Sequence, residues 1–224
     1  MIREFSMVRV KQSGQLGFVD DFDDEVCGDL DDLSCVRSVA LFEASKPRDE
    51  WIRADLFVDD LQEVVEAEPA DCESTCLGFD HVFIESHWTE DTPLEYWYAV
   101  WIAVEDGEAH AWFERGHRGP VEQVVAMSPA ETMVLREAFQ GSEICKWKRL
   151  YTYKDLRIGS NAWRITFIRD GLKVTRLGDD AYHVNLKGLC EKLRDLGLPI
   201  AFWEGHGLIC SLKGKRKRKR RGNR

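Results

Sequence analysis

The chain of 224 residues contains no run approaching eighteen consecutive apolar residues, so nothing in it has the length and apolarity of a membrane-spanning helix. Its first residues, MIREFSMVRVKQ, lack the apolar core of a signal peptide, and the sequence reads as soluble and unsecreted. Gly-x-Ser-x-Gly, the P-loop, Gly-x-Gly-x-x-Gly, His-Glu-x-x-His and Cys-x-x-Cys are all missing. Each of these patterns sets a particular group against substrate, phosphate or metal. Without them the sequence-readable forms of serine hydrolase, nucleotide-binding, dinucleotide-binding, zinc-protease and dithiol chemistry drop out. Cysteine is present in the wrong number for a disulfide framework: Cys27, Cys35, Cys72, Cys76, Cys145, Cys190 and Cys210 are odd in count and scattered. Free, mostly buried thiols in a reducing compartment are expected, in the nucleus if the cell is eukaryotic and otherwise in the cytoplasm.

Positive charge is scarce over residues 1–144, which hold 33 Asp and Glu against 10 Lys and Arg. Residues 145–224 reverse the balance, with 21 Lys and Arg against 7 Asp and Glu, so the overall charge of −9 conceals two opposed parts. Such asymmetry bears on partners and solubility rather than on fold. Three regions follow: an acidic β-rich part over 1–144, a basic part over 145–212 that is either its own unit or continuous with the first, and a tail over 213–224.

The most apolar stretch is Leu94 to Arg115, LEYWYAVWIAVEDGEAHAWFER. Asp106-Gly107 between two β-prone runs is a two-residue hairpin signal, which sets Val104 opposite Ala109, Ile102 opposite Ala111 and Val100 opposite Phe113. The other face carries Trp97, Ala99, Trp101 and Ala103 against His110 and Trp112. Both faces therefore need a cover, and the helix expected to begin at Pro129 is the candidate for the aromatic one. That helix has a capping box at Ser128 and Glu131, with Gly141 as its stop.

Other strands are expected at Phe5 to Lys11 and Gln15 to Val19, at Ser38 to Ala44, Trp51 to Val58, Asp80 to Glu85 and Val121 to Met127. Leu61 to Glu68 suits a short helix or a strand equally. Cys145 to Lys154 reads as a strand of interleaved cations and rings. A second hairpin turns at Asp170-Gly171, with Trp163, Ile165, Phe167, Leu172 and Val174 inward and Arg164, Thr166, Lys173 and Thr175 on a solvated face. A helix over Leu186 to Leu196, capped by Asn185 and closed by Gly197, is followed by a last hairpin of Leu198–Trp203 with Leu208–Leu212. The fold class expected is α+β: mostly antiparallel hairpin-built sheet, two main helices at about 129–140 and 186–196, and a disordered basic C-terminus.

The tail, KGKRKRKRRGNR, has eight cations among the nine residues Lys213 to Arg221 and no apolar residue to bury. Lys213, Lys215, Arg216, Lys217, Arg218, Lys219, Arg220, Arg221 and Arg224 would neutralise phosphates, releasing counterions, with little sequence preference. The same string can serve as a nuclear localisation signal. Lys146, Lys148, Arg149, Arg164 and Lys173 extend the basic surface onto the body. Trp147, Tyr151 and Tyr153 share one parity beside them, either as stacking platforms or, better supported by that parity, as core.

Other constellations are weaker. DDFDDEVCGDLDD, from Asp20, lacks the glycine and glutamate of a calcium loop, since Val26 and Asp32 stand in those places. It reads as a solvated acidic loop or a surface for a basic protein partner. Cys72, Cys76, His81 and His87 suggest zinc, but a strand from 81 to 87 would separate the two histidines by nearly 20 Å. Asn185-Leu186 with Leu189-Cys190 resembles the end of an HNH nuclease motif, whose histidines would have to include His183. Carboxylates such as Glu143, near Lys146, are abundant. The function expected is a non-enzymatic nucleic-acid-binding accessory protein with no cofactor and no metal. A metal-dependent nuclease, or an interaction module whose tail is only a nuclear address, are the alternatives.

Overall fold

A computed structural model describes residues 6–19, 36–46, 50–87, 98–115, 120–152, 162–179, 181–201 and 208–210. The chain opens with a five-stranded antiparallel sheet made of β1 (Met7–Val10), β2 (Leu16–Val19), β3 (Val36–Leu41), β4 (Arg53–Phe57) and β5 (Leu61–Glu63), in the order β4-β3-β2-β1-β5. The first pair is the expected hairpin, with Val8 opposite Gly17 and a left-handed Gly14 in its turn. Leu61 to Glu66 proves to be extended, because it serves two sheets. Leu61 pairs with Val10 of the first, Val64 is wholly buried at the corner, and β6 (Val65–Glu66) pairs with Leu172 and Lys173 of the second.

After a one-and-a-half-turn helix that the sequence did not announce, α1 (Cys72–Leu77), come β7 (His81–His87), β8 (Tyr98–Glu105), β9 (Glu108–Arg115) and β10 (Val121–Met127). The turn between β8 and β9 has positive φ at both Asp106 and Gly107, and the register is the expected one, with Ile102 opposite Ala111 and Val100 opposite Phe113. Next are α2 (Pro129–Gly141), β11 (Leu150–Thr152), β12 (Ala162–Arg169) and β13 (Leu172–Asp179). β12 and β13 turn at Asp170-Gly171, again with positive φ at both. β10-β9-β8-β7-β12-β13 form one antiparallel run, and two short parallel strands, β6 and β11, cover the outer edge of β13. Strands from both sides of residue 144 thus share one sheet.

The last elements are β14 (Ala181–His183), α3 (Leu186–Asp195) and β15 (Leu208–Cys210). The large sheet carries helices on one face and the small sheet on the other. On the helix face Val82, Ile84, Val100, Ile102, Ala109, Ala111, Ile165, Phe167 and Val174 pack with Leu135 and Phe139 of α2 and Leu189 and Leu193 of α3. Phe139 meets Phe167 edge-on at 5.0 Å between ring centroids. On the opposite face Phe83, Trp101 and Ile168 pack with Met7, Leu16, Ala40 and Trp51. The α+β architecture is thus built in three layers.

Four expectations are corrected. The aromatic face of the central hairpin is covered by the small sheet, not by α2. Ala109 and Ala111 make the other face shallow enough for a helix, whereas Trp101 and Phe83 meet the rings of Phe42 and Trp51. Residues 145–154 are not one strand. Glu143 is left-handed at φ 57, Ile144–Lys146 form a 3-10 turn, and only Leu150–Thr152 is extended. The buried Arg176 holds that turn by donating to the carbonyls of Ile144 and Cys145. Asn185 makes no side-chain cap and instead donates to Ser142 O at 3.2 Å. The last hairpin gives way to a different pairing: β15 runs parallel to β14, while Leu198 and Ile200 sink into the core and Ala201 O accepts from the Tyr98 hydroxyl. The capping box of α2 is present as expected, with Ser128 Oγ accepting from Glu131 N and Ser128 N donating to Glu131.

His81, on β7, faces the ring of Phe42 between the two sheets. Burial, and then the charge of Arg9, hold its pKa down at about 4 from the ordinary 6.5, against an opposing pull from Asp80. The unfolded chain therefore takes up a proton on this ring at a higher pH than the folded one. Stability from His81 is complete above about pH 6.5 and is lost as pH falls toward 4, a change of about 2–3 kcal/mol. Urea unfolding from pH 7 to 4 checks this: His81→Gln should flatten the fall by that amount, and an unchanged pH profile contradicts it.

Candidate functional site

The small sheet does not cover the whole of the larger one. Toward β12 and β13 the layers part and leave a cleft of about 490 Å³. Met7, Phe18 and Trp51 line one wall. Phe83 and Glu85 of β7, Trp101 of β8, Glu114 of β9, Arg164 and Thr166 of β12 and Lys173 and Thr175 of β13 line the other, with Glu66 and Arg149 at the β13 edge. Strand alternation explains the set: each of these sheet residues is out of phase with the apolar residues that face the helices. The Arg164, Thr166, Lys173, Thr175 face, expected to be solvated, is instead this cleft wall, and Thr166 is only 5% exposed.

Cations stand at the mouth and carboxylates lie deeper. Arg164 Nη1 lies 3.6 Å from Glu85 Oε2, with the arginine side chain 52% exposed and the glutamate 20%. Arg149 is exposed and Glu114 is buried. Glu66 Oε1 accepts from the Thr175 N–H at 3.0 Å, while its Oε2 is buried and takes no hydrogen bond from any described residue. A phosphate suits the rim, and a group rich in N–H donors, such as a nucleobase edge, suits the carboxylate floor. Trp51 and Trp101 offer little ring surface, being 4% and 5% exposed.

Of the sequence-expected body cations, Arg149, Arg164 and Lys173 come together here. Lys146 does not: it is exposed elsewhere and paired with Glu143 at 2.7 Å. Lys148 is exposed and does not line the cleft; its backbone N–H donates to the Tyr151 hydroxyl. Trp147 and Tyr151 are core, each 4% exposed, so neither is a stacking platform. Tyr153, Trp97, the acidic loop from Asp20 and all of the tail, Lys213 to Arg224, lie outside the described residues. His183 is stacked on Trp147 at 4.5 Å and accepts from the Asn185 N–H, so it is committed to the frame rather than presented to a metal. Among the described residues no three His, Cys, Asp or Glu stand close enough to hold an ion, the cleft carboxylates included.

Sequence reasoning passed over Glu66, Glu85 and Glu114. The signal was present for two of them: Glu85 is out of phase with Val82 and Ile84, and Glu114 shares the parity of Trp112. No helix among the described residues is long and apolar enough to cross a membrane. Comparison with known proteins adds nothing: no family model, no curated protein and no solved structure matches the chain.

The two carboxylate contacts should separate in stability. Arg164→Ala removes an exposed pair and should cost less than about 1 kcal/mol. Glu66→Ala strips the partner from the half-buried Thr175 N–H and should cost about 1–3 kcal/mol. Urea midpoints of the two variants give the comparison. An arginine effect as large as that of Glu66 would make the rim part of the frame rather than a surface left for a ligand.

Proposed function

We propose that the protein is a non-enzymatic nucleic-acid-binding accessory factor. In this reading the cationic tail supplies most of the affinity, the cleft rim adds a second point of attachment, and the acidic N-terminal part is left for a basic protein partner. The observation that carries it is charge separation. Eight of nine residues from Lys213 to Arg221 are cations, behind a body of residues 1–212 with a net charge of −18. Lateral support comes from the root of the tail. Cys210 pairs with His183, whose ring stacks on Trp147, two residues before Arg149 of the cleft. The tail begins three residues after Cys210 in the sequence.

The nuclease reading retains one favourable observation, that Glu66, Glu85 and Glu114 line a single concavity beside cations. The reading of the tail as a nuclear address alone rests on its composition.

One experiment orders the three: salt-titrated binding to single- and double-stranded DNA and RNA, with the full chain, a chain lacking 213–224, and a variant carrying Arg149→Ala, Arg164→Ala and Lys173→Ala. Loss of the tail should abolish most binding and flatten the salt dependence. The triple variant should flatten the slope by about 0.7–0.9 for each phosphate that is no longer neutralised. Undiminished binding and slope without the tail would refute the proposal. Magnesium-dependent cleavage of the probe would replace it with the nuclease.

A further inference from the structure

On the helix side of the large sheet, away from the cleft, three cysteines converge. Cys72 and Cys76 are one turn apart on α1 and share a face. Cys145 stands in the 3-10 turn after α2. Cys76 is wholly buried, and α1 packs against the turn that carries Cys145, close enough for the two thiols to interact. Cys145 is half-buried and opens, with Cys72, Glu73, Gln140 and Lys146, onto a separate cavity of about 380 Å³. Beneath the pair lies Arg176, 5% exposed, whose guanidinium donates to Cys145 O at 2.8 Å, Ile144 O at 3.1 Å and Thr175 O at 3.0 Å.

These surroundings divide the labour between the two thiols. Interaction with Cys76 and the charge of Arg176 lower the pKa of Cys145, while interaction with Cys145 and burial raise that of Cys76. The accessible sulfur is thus the one favoured as thiolate, and the inaccessible one keeps its proton. Cys190 provides the contrast within the same core: burial in α3 pushes its thiol up to about 12.

We propose that Cys145 and Cys76 form a peroxide-responsive thiol pair, in which hydrogen peroxide entering the cavity reacts at Cys145 and Cys76 then closes a disulfide between α1 and the end of α2. In the first step the Cys145 sulfur attacks one peroxide oxygen. An S–O bond forms, the O–O bond breaks, and hydroxide leaves and is protonated to water. The sulfur is oxidised by two electrons to a sulfenic acid and the peroxide is reduced. In the second step Cys76 gives up its proton and attacks the Cys145 sulfur. The S–S bond forms at about 2.0 Å, the S–O bond breaks, and a second water departs. The sum is two thiols and one peroxide giving one disulfide and two waters, and a low-molecular-weight thiol reverses it. The Cys72 thiol donates instead to Ala67 O at 3.9 Å.

The test uses the full chain, treated with equimolar hydrogen peroxide, alkylated and mapped by peptide mass. A Cys76–Cys145 cross-link that dithiothreitol reverses is expected, with Cys190 still reduced. Cys76→Ala should halt the sequence at the sulfenic acid, captured on Cys145 by dimedone, and Cys145→Ser should prevent the cross-link altogether. Oxidation spread evenly over the cysteines, or a Cys145 adduct of equal yield with and without Cys76, would overturn the proposal. Mapping of the unsubstituted chain decides the matter even if a variant fails to fold.

Discussion

Strand β8 is apolar on both sides, and the rest of the architecture answers that constraint. Val100 and Ile102 point one way, and Trp101 points the other with Phe83 of β7 beside it, all 5% exposed or less. A strand of this kind cannot border water on either face. A fully buried Phe or Trp contributes about 2–3 kcal/mol by burial alone. Trp51, Phe83 and Trp101, with the partly buried Phe42 against them, therefore amount to about 6–9 kcal/mol, comparable with the net stability of a typical domain. Neither cover is dispensable, and the two differ because the faces differ. Small alanines admit the close approach of a helix, and a paved ring surface takes another ring-bearing sheet.

That geometry also explains why there is a cleft. A twisted five-stranded sheet laid on an eight-stranded one leaves part of the larger face open. The open part falls where the large sheet turns polar, at Arg164, Thr166, Lys173 and Thr175. Strand β13 then serves both sides of the molecule by alternation. Lys173 and Thr175 face the cleft, while Arg176, one residue on, is buried on the helix side and holds the turn that carries Cys145. One strand thus supplies a cation to the cleft and another to the turn that carries Cys145.

What could be read beforehand was whatever is decided locally. The Asp-Gly turns at 106–107 and 170–171, the capping box at Ser128 and the inward parity of Trp147 and Tyr151 depend on neighbours a few residues away, and all are present. The features missed depend on distant partners. Helix α1 is too short to show a period, the choice between helix and strand over 61–68 is decided by the sheet edges that receive β5 and β6, the strand expected over 145–154 survives only as β11 on the edge of β13, and β15 pairs in parallel with β14 rather than with its sequence neighbour. α2 ends at Gly141 as expected, but the left-handed residue beyond it is Glu143 rather than a glycine, and Arg176, far along the chain, holds the carbonyls that follow. The cleft was half-legible: its cations were chosen for charge, and its carboxylates went unnoticed because nothing in the sequence said that a second sheet would stop short of them.

The electrostatic side of the functional reading meets an internal rival, since a body of net −18 attracts its own cationic tail. Charge density decides between the rivals. At physiological salt, interactions fade beyond about 8 Å, so the tail responds to charge concentrated within that distance and not to the sum over the body. The cleft sets three carboxylates against three cations and offers no net attraction. A duplex presents a phosphate charge about every 1.7 Å along its axis and releases condensed counterions when it is neutralised, which dispersed surface carboxylates do not. In the proposed reading the tail gains more from a phosphate polymer than from the globule that carries it, and the acidic body, besides receiving a basic partner, repels such a polymer toward the tail and the cationic rim.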